Sequence, residues 1–187
     1  MRVSPTIGYF HNDYGKGPIT RFLSSIALVY PEAQVVNCAV PCRFEVAMAA
    51  RAQRYAELRK EVRGNLILCD TDIEAKKPFE DWSGQWEIGL TESQEKTPLM
   101  PLNGGMIFAK DSPGAQHFLD EVRWASNIVP QGFPYLWYID QLALGYVAKG
   151  NPVVKVFPSE CNYIPRFNGD KPDVYFMHYK GNRKSWL

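Results

Sequence analysis

The run Asn65-Leu66-Ile67-Leu68-Cys69 leads directly into Asp70-Thr71-Asp72. A short apolar run bounded by polar residues reads as a buried strand. Two acids one residue apart at its carboxyl end are costly to bury unless a cation compensates them. Hard divalent cations bind through carboxylate oxygens and commonly hold substrate phosphates as well. Ligands of open α/β sheets sit at the carboxyl ends of the strands. The segment therefore points to an α/β sheet that carries a metal–phosphate site.

The flanking sequence supports such a sheet. Thr6 to Phe10 reads as a first strand, followed by the turn-rich stretch His11 to Pro18. Ile19 to Tyr30 is amphipathic and helical, and Pro31 ends it. Gln34 to Val40 reads as a second strand, and Phe44 to Val62 as a helix rich in Ala, Glu, Arg and Leu that stops at Gly64. Strand, helix, strand, helix, strand predicts a parallel sheet with crossover helices. Beyond the two acids, Lys76 to Pro98 reads as loop with one short antiparallel strand near Trp86 to Leu90. Met106 to Ala109 is a short strand behind the turn-like Asn103-Gly104-Gly105. Helices are expected over Ser112 to Ser126, with Pro113 in the first turn, and over Tyr138 to Lys149. Late strands are expected over Val153 to Phe157 and Val174 to Met177.

The 187 residues suit one domain, 1–187, with a proper core. A formal charge of +1 argues against a nucleic-acid binder that works by bulk electrostatics. No stretch is long and apolar enough for a transmembrane segment, and no signal peptide is evident, so a cytoplasmic location is expected. Cys38, Cys42, Cys69 and Cys161 lack the spacing of a zinc site and are expected as reduced thiols. Trp82, Trp86, Tyr135, Trp137 and Tyr138 lie in polar, Pro/Gly-rich surroundings, where both core packing and stacking on sugar rings are open.

Several segments together carry a family resemblance. Asp70-Thr71-Asp72 is a DxD motif, and Leu102-Asn103-Gly104-Gly105 resembles an N-x-G segment that lines a sugar site. Asp140-Gln141 opens a helix as a DQ element does. His178 to Lys184 fits H-x-x-G-x-x-K, followed by Trp186. In this order the segments resemble the GT-A glycosyltransferases, most of all glycosyltransferase family 8, the glycogenin and bacterial galactosyltransferase group. The resemblance implies a compact GT-A fold, a mostly parallel central sheet flanked by helices.

It also implies a metal-dependent hexosyltransferase that uses a UDP-sugar, UDP-glucose or UDP-galactose, and retains anomeric configuration. Asp70, Asp72 and His178 would hold Mn²⁺ or Mg²⁺. Gly181 would let the backbone approach the diphosphate, and Lys184 would place a point charge on it. Asn12 and Tyr14 resemble a base-binding start. Arg54 resembles an arginine that reaches the donor, with Arg51 one turn earlier as its rival. Asn103, Gly104 and Gly105 would face the donor sugar. Asp140 and Gln141 would position it, with no covalent intermediate implied. The acceptor is open among saccharide, lipid-linked saccharide and protein. The chain is short for that family, so acceptor binding is expected to use Lys76 to Pro98, Gly132 to Tyr138, or a partner. Two other classes compete: a non-catalytic nucleotide-sugar or glycan-binding module on the same fold, and a haloacid-dehalogenase-like phosphotransferase. The latter normally carries its DxD on the first strand.

Overall fold

The computed structural model describes residues 4–11, 19–42, 46–97, 100–128, 138–165 and 173–179, with backbone alone for 95–97. The first half follows the expected alternation. Strand β1 (Thr6–Tyr9) is followed by helix α1 (Ile19–Val29), β2 (Val35–Asn37), α2 (Ala47–Glu61) and β3 (Leu66–Cys69). β1 lies between β2 and β3 and pairs with both in parallel.

After β3 the chain forms β4 (Ile73–Ala75), β5 (Ile88–Thr97), β6 (Met100–Ala109), α3 (Pro113–Asn127), α4 (Ile139–Ala148), β7 (Val154–Phe157) and β8 (Phe176–His178). A short 3-10 helix spans Ser159–Asn162. The central sheet has the order β2-β1-β3-β6-β5-β7, and a separate antiparallel pair joins β4 to β8. β6 runs against both of its neighbours, whereas β7 is parallel to β5. The sheet is thus mostly parallel, with one reversed strand in its middle.

Three expectations need correction. The short antiparallel strand expected near Trp86 to Leu90, within the Lys76 to Pro98 loop, is a ten-residue strand, β5. Its second half, Thr91 to Thr97, has no apolar alternation. The ladder to β6 holds it, with register shifts after Leu90 and Glu92. Asn103-Gly104-Gly105 is not a turn but the middle of β6. β4 is a further strand that the sequence does not announce, since three residues give too little period to read.

The core lies on both faces of the sheet. In β3, Leu66 and Leu68 face one layer, where α2, α3 and α4 contribute Tyr55, Leu58, Phe118, Val122 and Leu144. Ile67 and Cys69 face the other, with Phe22 and Ile26 of α1, Phe79, Trp86 and Phe176. Burial on both faces is why β3 reads as a continuous apolar run. Trp86 is buried, so packing claims it; Trp82 is half-buried against it, at 5.7 Å between ring centroids, and keeps part of its surface open. Tyr135 and Trp137 lie outside the described residues.

Caps fix the joints between elements. The Ser112 side chain accepts from the Ala115 amide at 3.2 Å, and Pro113 opens α3. After α2 the chain turns through Gly64, whose φ of 84° favours glycine. Buried Arg59 donates to the Gly64 carbonyl at 2.8 Å and lies 3.3 Å from Asp111, which accepts from the Gly64 amide at 2.8 Å. This staple holds the turn that feeds β3 and so places its carboxyl end.

Candidate functional site

β3 delivers Asp70 at the carboxyl end of the parallel strands. The Asp70 amide donates to the Gly105 carbonyl on β6 at 3.0 Å, which continues the ladder one step past Cys69. The chain then turns through Thr71 and Asp72 into β4. Ile73 of β4 is in register with His178 of β8. The Tyr179 amide donates to the Asp72 carbonyl at 2.8 Å. The small β4–β8 sheet therefore carries His178 back to the DxD turn.

Asp70, Asp72 and His178 converge. Each offers a ligand atom, and these atoms lie within 4.8 Å of one another. His178 Nε2 is 3.0 Å from Asp72 Oδ1 and 3.6 Å from Asp70 Oδ2. Asp72 and His178 are buried, and Asp70 is half-buried. The closeness requires glycine at 105: a Cβ there would lie 2.3 Å from His178 Cε1 and 2.9 Å from Asp70 Oδ2.

Arg51 of α2 closes the other side. Its guanidinium pairs with Asp70 Oδ1, and its Nε donates to Asp140 Oδ2 at 2.7 Å. Burial alone would lower the Arg51 pKa, but the carboxylates of Asp140 and Asp70 outweigh it and keep the group cationic. Burial raises the Asp140 carboxyl, and Arg51 draws it back. Asp140 Oδ1 accepts from the Gln141 amide at 2.8 Å, so both of its oxygens are engaged. The site sets three carboxylates, Asp70, Asp72 and Asp140, against one guanidinium, an excess of negative charge. Two oxygen donors and one imidazole nitrogen are a set that suits Mn²⁺ or Mg²⁺. The residues present therefore fit a divalent cation.

Gln141 lies beside them. Its Nε2 donates to the Leu102 carbonyl at 2.7 Å, and its Cβ is the nearest atom to a Cβ built on Gly104, at 3.3 Å. Asn103 is buried; its Oδ1 accepts from the Gly105 amide at 3.0 Å and its Nδ2 has no partner among the described residues. Asn103, Gly104, Gly105, Asp140 and Gln141 are thus brought to the same end of the sheet as the DxD acids.

Arg54 is not. It pairs with Glu57 and lies 3.8 Å from Glu61 along the outer side of α2. The rival, Arg51, occupies the site. The signal was present: Arg51, Tyr55 and Leu58 form a buried stripe on α2 at helical spacing, and Arg54 lies off it. Sequence reading also missed Asn162, fully buried, whose Nδ2 is 3.5 Å from Thr91 Oγ1 and whose Oδ1 has no partner among the described residues. Asn12, Tyr14, Gly181 and Lys184 lie outside the described residues.

Neither a protein-family model nor a curated protein sequence matches the chain. Solved structures do. A glycosyltransferase involved in glycosylation of the major capsid of PBCV-1 aligns with a TM-score of 0.69 at 16% identity, covering 97% of this chain and 96% of that one. The apo form of glycosyltransferase GlyE of Streptococcus pneumoniae TIGR4 aligns with a TM-score of 0.72 at 11% identity, covering 99% of this chain but 56% of GlyE. The galactosyltransferase LgtC, solved with donor and acceptor sugar analogues, aligns with a TM-score of 0.62 at 14% identity, covering 97% and 89%. At such identities the likeness is one of fold. The chain has the GT-A glycosyltransferase fold, in a compact form.

Proposed function

We propose that the chain is a metal-dependent glycosyltransferase, related to family 8, that transfers a hexose from a nucleotide sugar to an acceptor with retention. UDP-glucose and UDP-galactose are the proposed donors, and a saccharide, free or carried on lipid or protein, is the proposed acceptor. The observation that carries this reading is the convergence of Asp70, Asp72 and His178 at the carboxyl end of β3 in a GT-A fold.

A divalent cation held by these three residues would supply positive charge to the departing diphosphate. The other roles belong to the chain. Arg51 fixes the Asp70 and Asp140 carboxylates, so the site is preorganised before ligand arrives. Gln141 is anchored through its Nε2, which leaves Oε1 for a sugar hydroxyl. Asn103 presents Nδ2. Asp140, buried and bound on both oxygens, is suited to orienting the sugar edge and not to nucleophilic attack. Gly181 and Lys184 are assigned to the diphosphate, and Asn12 and Tyr14 to the base, by the family resemblance.

The test is release of UDP from a panel of nucleotide sugars, with Mn²⁺ or with chelator, paired with calorimetry of UDP. Metal-dependent release from one donor, lost in Asp72→Asn, supports the reading and names the sugar. UDP binding without turnover of any donor would favour the non-catalytic module. No UDP binding in the presence of Mn²⁺ would overturn the donor site itself.

A further inference from the structure

The other pole of the sheet carries a cleft that the site above does not use. A cavity of about 620 Å³ opens where Ser4 and Pro5 enter β1, where α1 ends and where Asn65 enters β3. This is the amino end of the parallel strands, opposite Asp70. The volume is within the roughly 300–1,000 Å³ of small-molecule sites.

Its floor is aromatic: Tyr30 and Phe79 are buried beneath it, and the half-buried Trp82 ring is the surface a ligand would meet. Tyr30, Phe79 and Trp82 line it, and the Phe79 backbone fixes the other two rings. The Phe79 amide donates to Tyr30 Oη at 2.8 Å, and Trp82 Nε1 donates to the Phe79 carbonyl at 3.1 Å. Edge contacts from Phe79 at 5.1 Å then hold the Trp82 ring. A ring fixed in advance, as Trp82 is, loses little entropy when a ligand stacks on it.

Its rim is polar. Glu32, Asn65 and Ser83 border the cavity, and none of their side chains has a hydrogen-bond partner among the described residues. Among the described residues of the lining the charged ones are Glu32 and Glu80, both acids. Such a cleft disfavours phosphates, nucleotides and uronates. A carboxylate, a carboxamide and a hydroxyl above an apolar ring surface match a pyranose, which has an apolar C–H face and an edge of hydroxyls.

We propose that this cleft is a second saccharide site, which takes a neutral sugar ring of a glycan at the pole opposite the DxD turn. It is a binding point and not part of the reacting centre. It does not depend on the metal-site reading, and its test uses binding alone.

The experiment is an NMR titration of the ¹⁵N-labelled chain with glucose, galactose, N-acetylglucosamine and short oligosaccharides of each, without metal or nucleotide. Saturable shifts at the Trp82 indole N–H and the Asn65 side-chain amide are expected with at least one of them. Asn65→Ala and Glu32→Ala, each checked for an unchanged unfolding midpoint, should weaken that binding about tenfold, or ~1.4 kcal/mol. Asp72→Asn should leave it unchanged. The proposal is overturned by no saturable shift with any sugar, by shifts confined to Asn103 and Gln141, or by binding indifferent to both cleft variants. A lysine-rich peptide that binds there while no sugar does would also overturn it, since two acids over aromatic rings also suit a cation.

Discussion

Single residues decide whether three ligand atoms can meet. Gly105 is the sharpest case, because a methyl group there would overlap the His178 ring. Gly105→Ala should weaken Mn²⁺ binding at least about tenfold, read by calorimetry, while costing about 1–3 kcal/mol in urea unfolding. Retained affinity would mean that His178 is not a ligand. Arg51 and Arg54 form a second contrast. Arg51→Lys keeps the charge but loses the planar fork that reaches Asp70 and Asp140 together. About 2–4 kcal/mol of stability should go, because buried Asp140 loses its partner. Arg54→Ala, in a half-buried i,i+3 pair on the helix surface, should cost less than about 1 kcal/mol. Equal losses in the two variants would contradict the placement of Arg51. The acids and the histidine were legible because their types and spacing are chemically restrictive. The choice between Arg51 and Arg54 rests on which helix face meets Asp140, a contact between elements far apart in the chain.

At the scale of elements, the sequence is legible where burial is two-sided and fails where hydrogen-bond ladders replace it. β3 was read from its apolar run, and α3 from Ser112 and Pro113. The polar end of β5 reads as loop, since its place comes from pairing with β6. Asn103-Gly104-Gly105 looks turn-like in the sequence because glycine punctuates most chains, whereas here β6 is stripped of side chains where His178 and Gln141 press against it. Element junctions carry energy as well. Arg59 joins the end of α2 to the start of β3 and to Asp111, with its side chain almost fully buried. Arg59→Ala should cost about 2–4 kcal/mol in urea unfolding, since it leaves part-buried carbonyls and the Asp111 carboxylate without their partner. A loss under about 0.5 kcal/mol would show that Gly64 and the helix end hold the turn unaided.

For the molecule as a whole, two core layers enclose the thiols and one site ties distant parts of the chain together. Cys38, Cys69 and Cys161 are buried, and burial pushes the Cys38 and Cys161 thiols up to about 11. Alkylation needs the thiolate, so at pH 8 these three should react only at the rate of unfolding, with half-buried Cys42 reacting first. Mass spectrometry showing two or more fast-labelled thiols would mean that a layer opens locally. The metal site spans the same architecture: Asp70 and Asp72 follow β3, and His178 ends β8. A cation bound to all three stabilises only the folded chain, because the unfolded chain cannot bring them together. At a hundred times its Kd, Mn²⁺ should add about 2.7 kcal/mol, or roughly 5–10 °C in Tm for a chain of this size. Chelator should reverse the rise, and Asp72→Asn should abolish it while keeping its metal-free Tm within a few degrees. A rise of the same size in that variant would place the cation elsewhere and leave the DxD turn as no more than a link between β3 and β4.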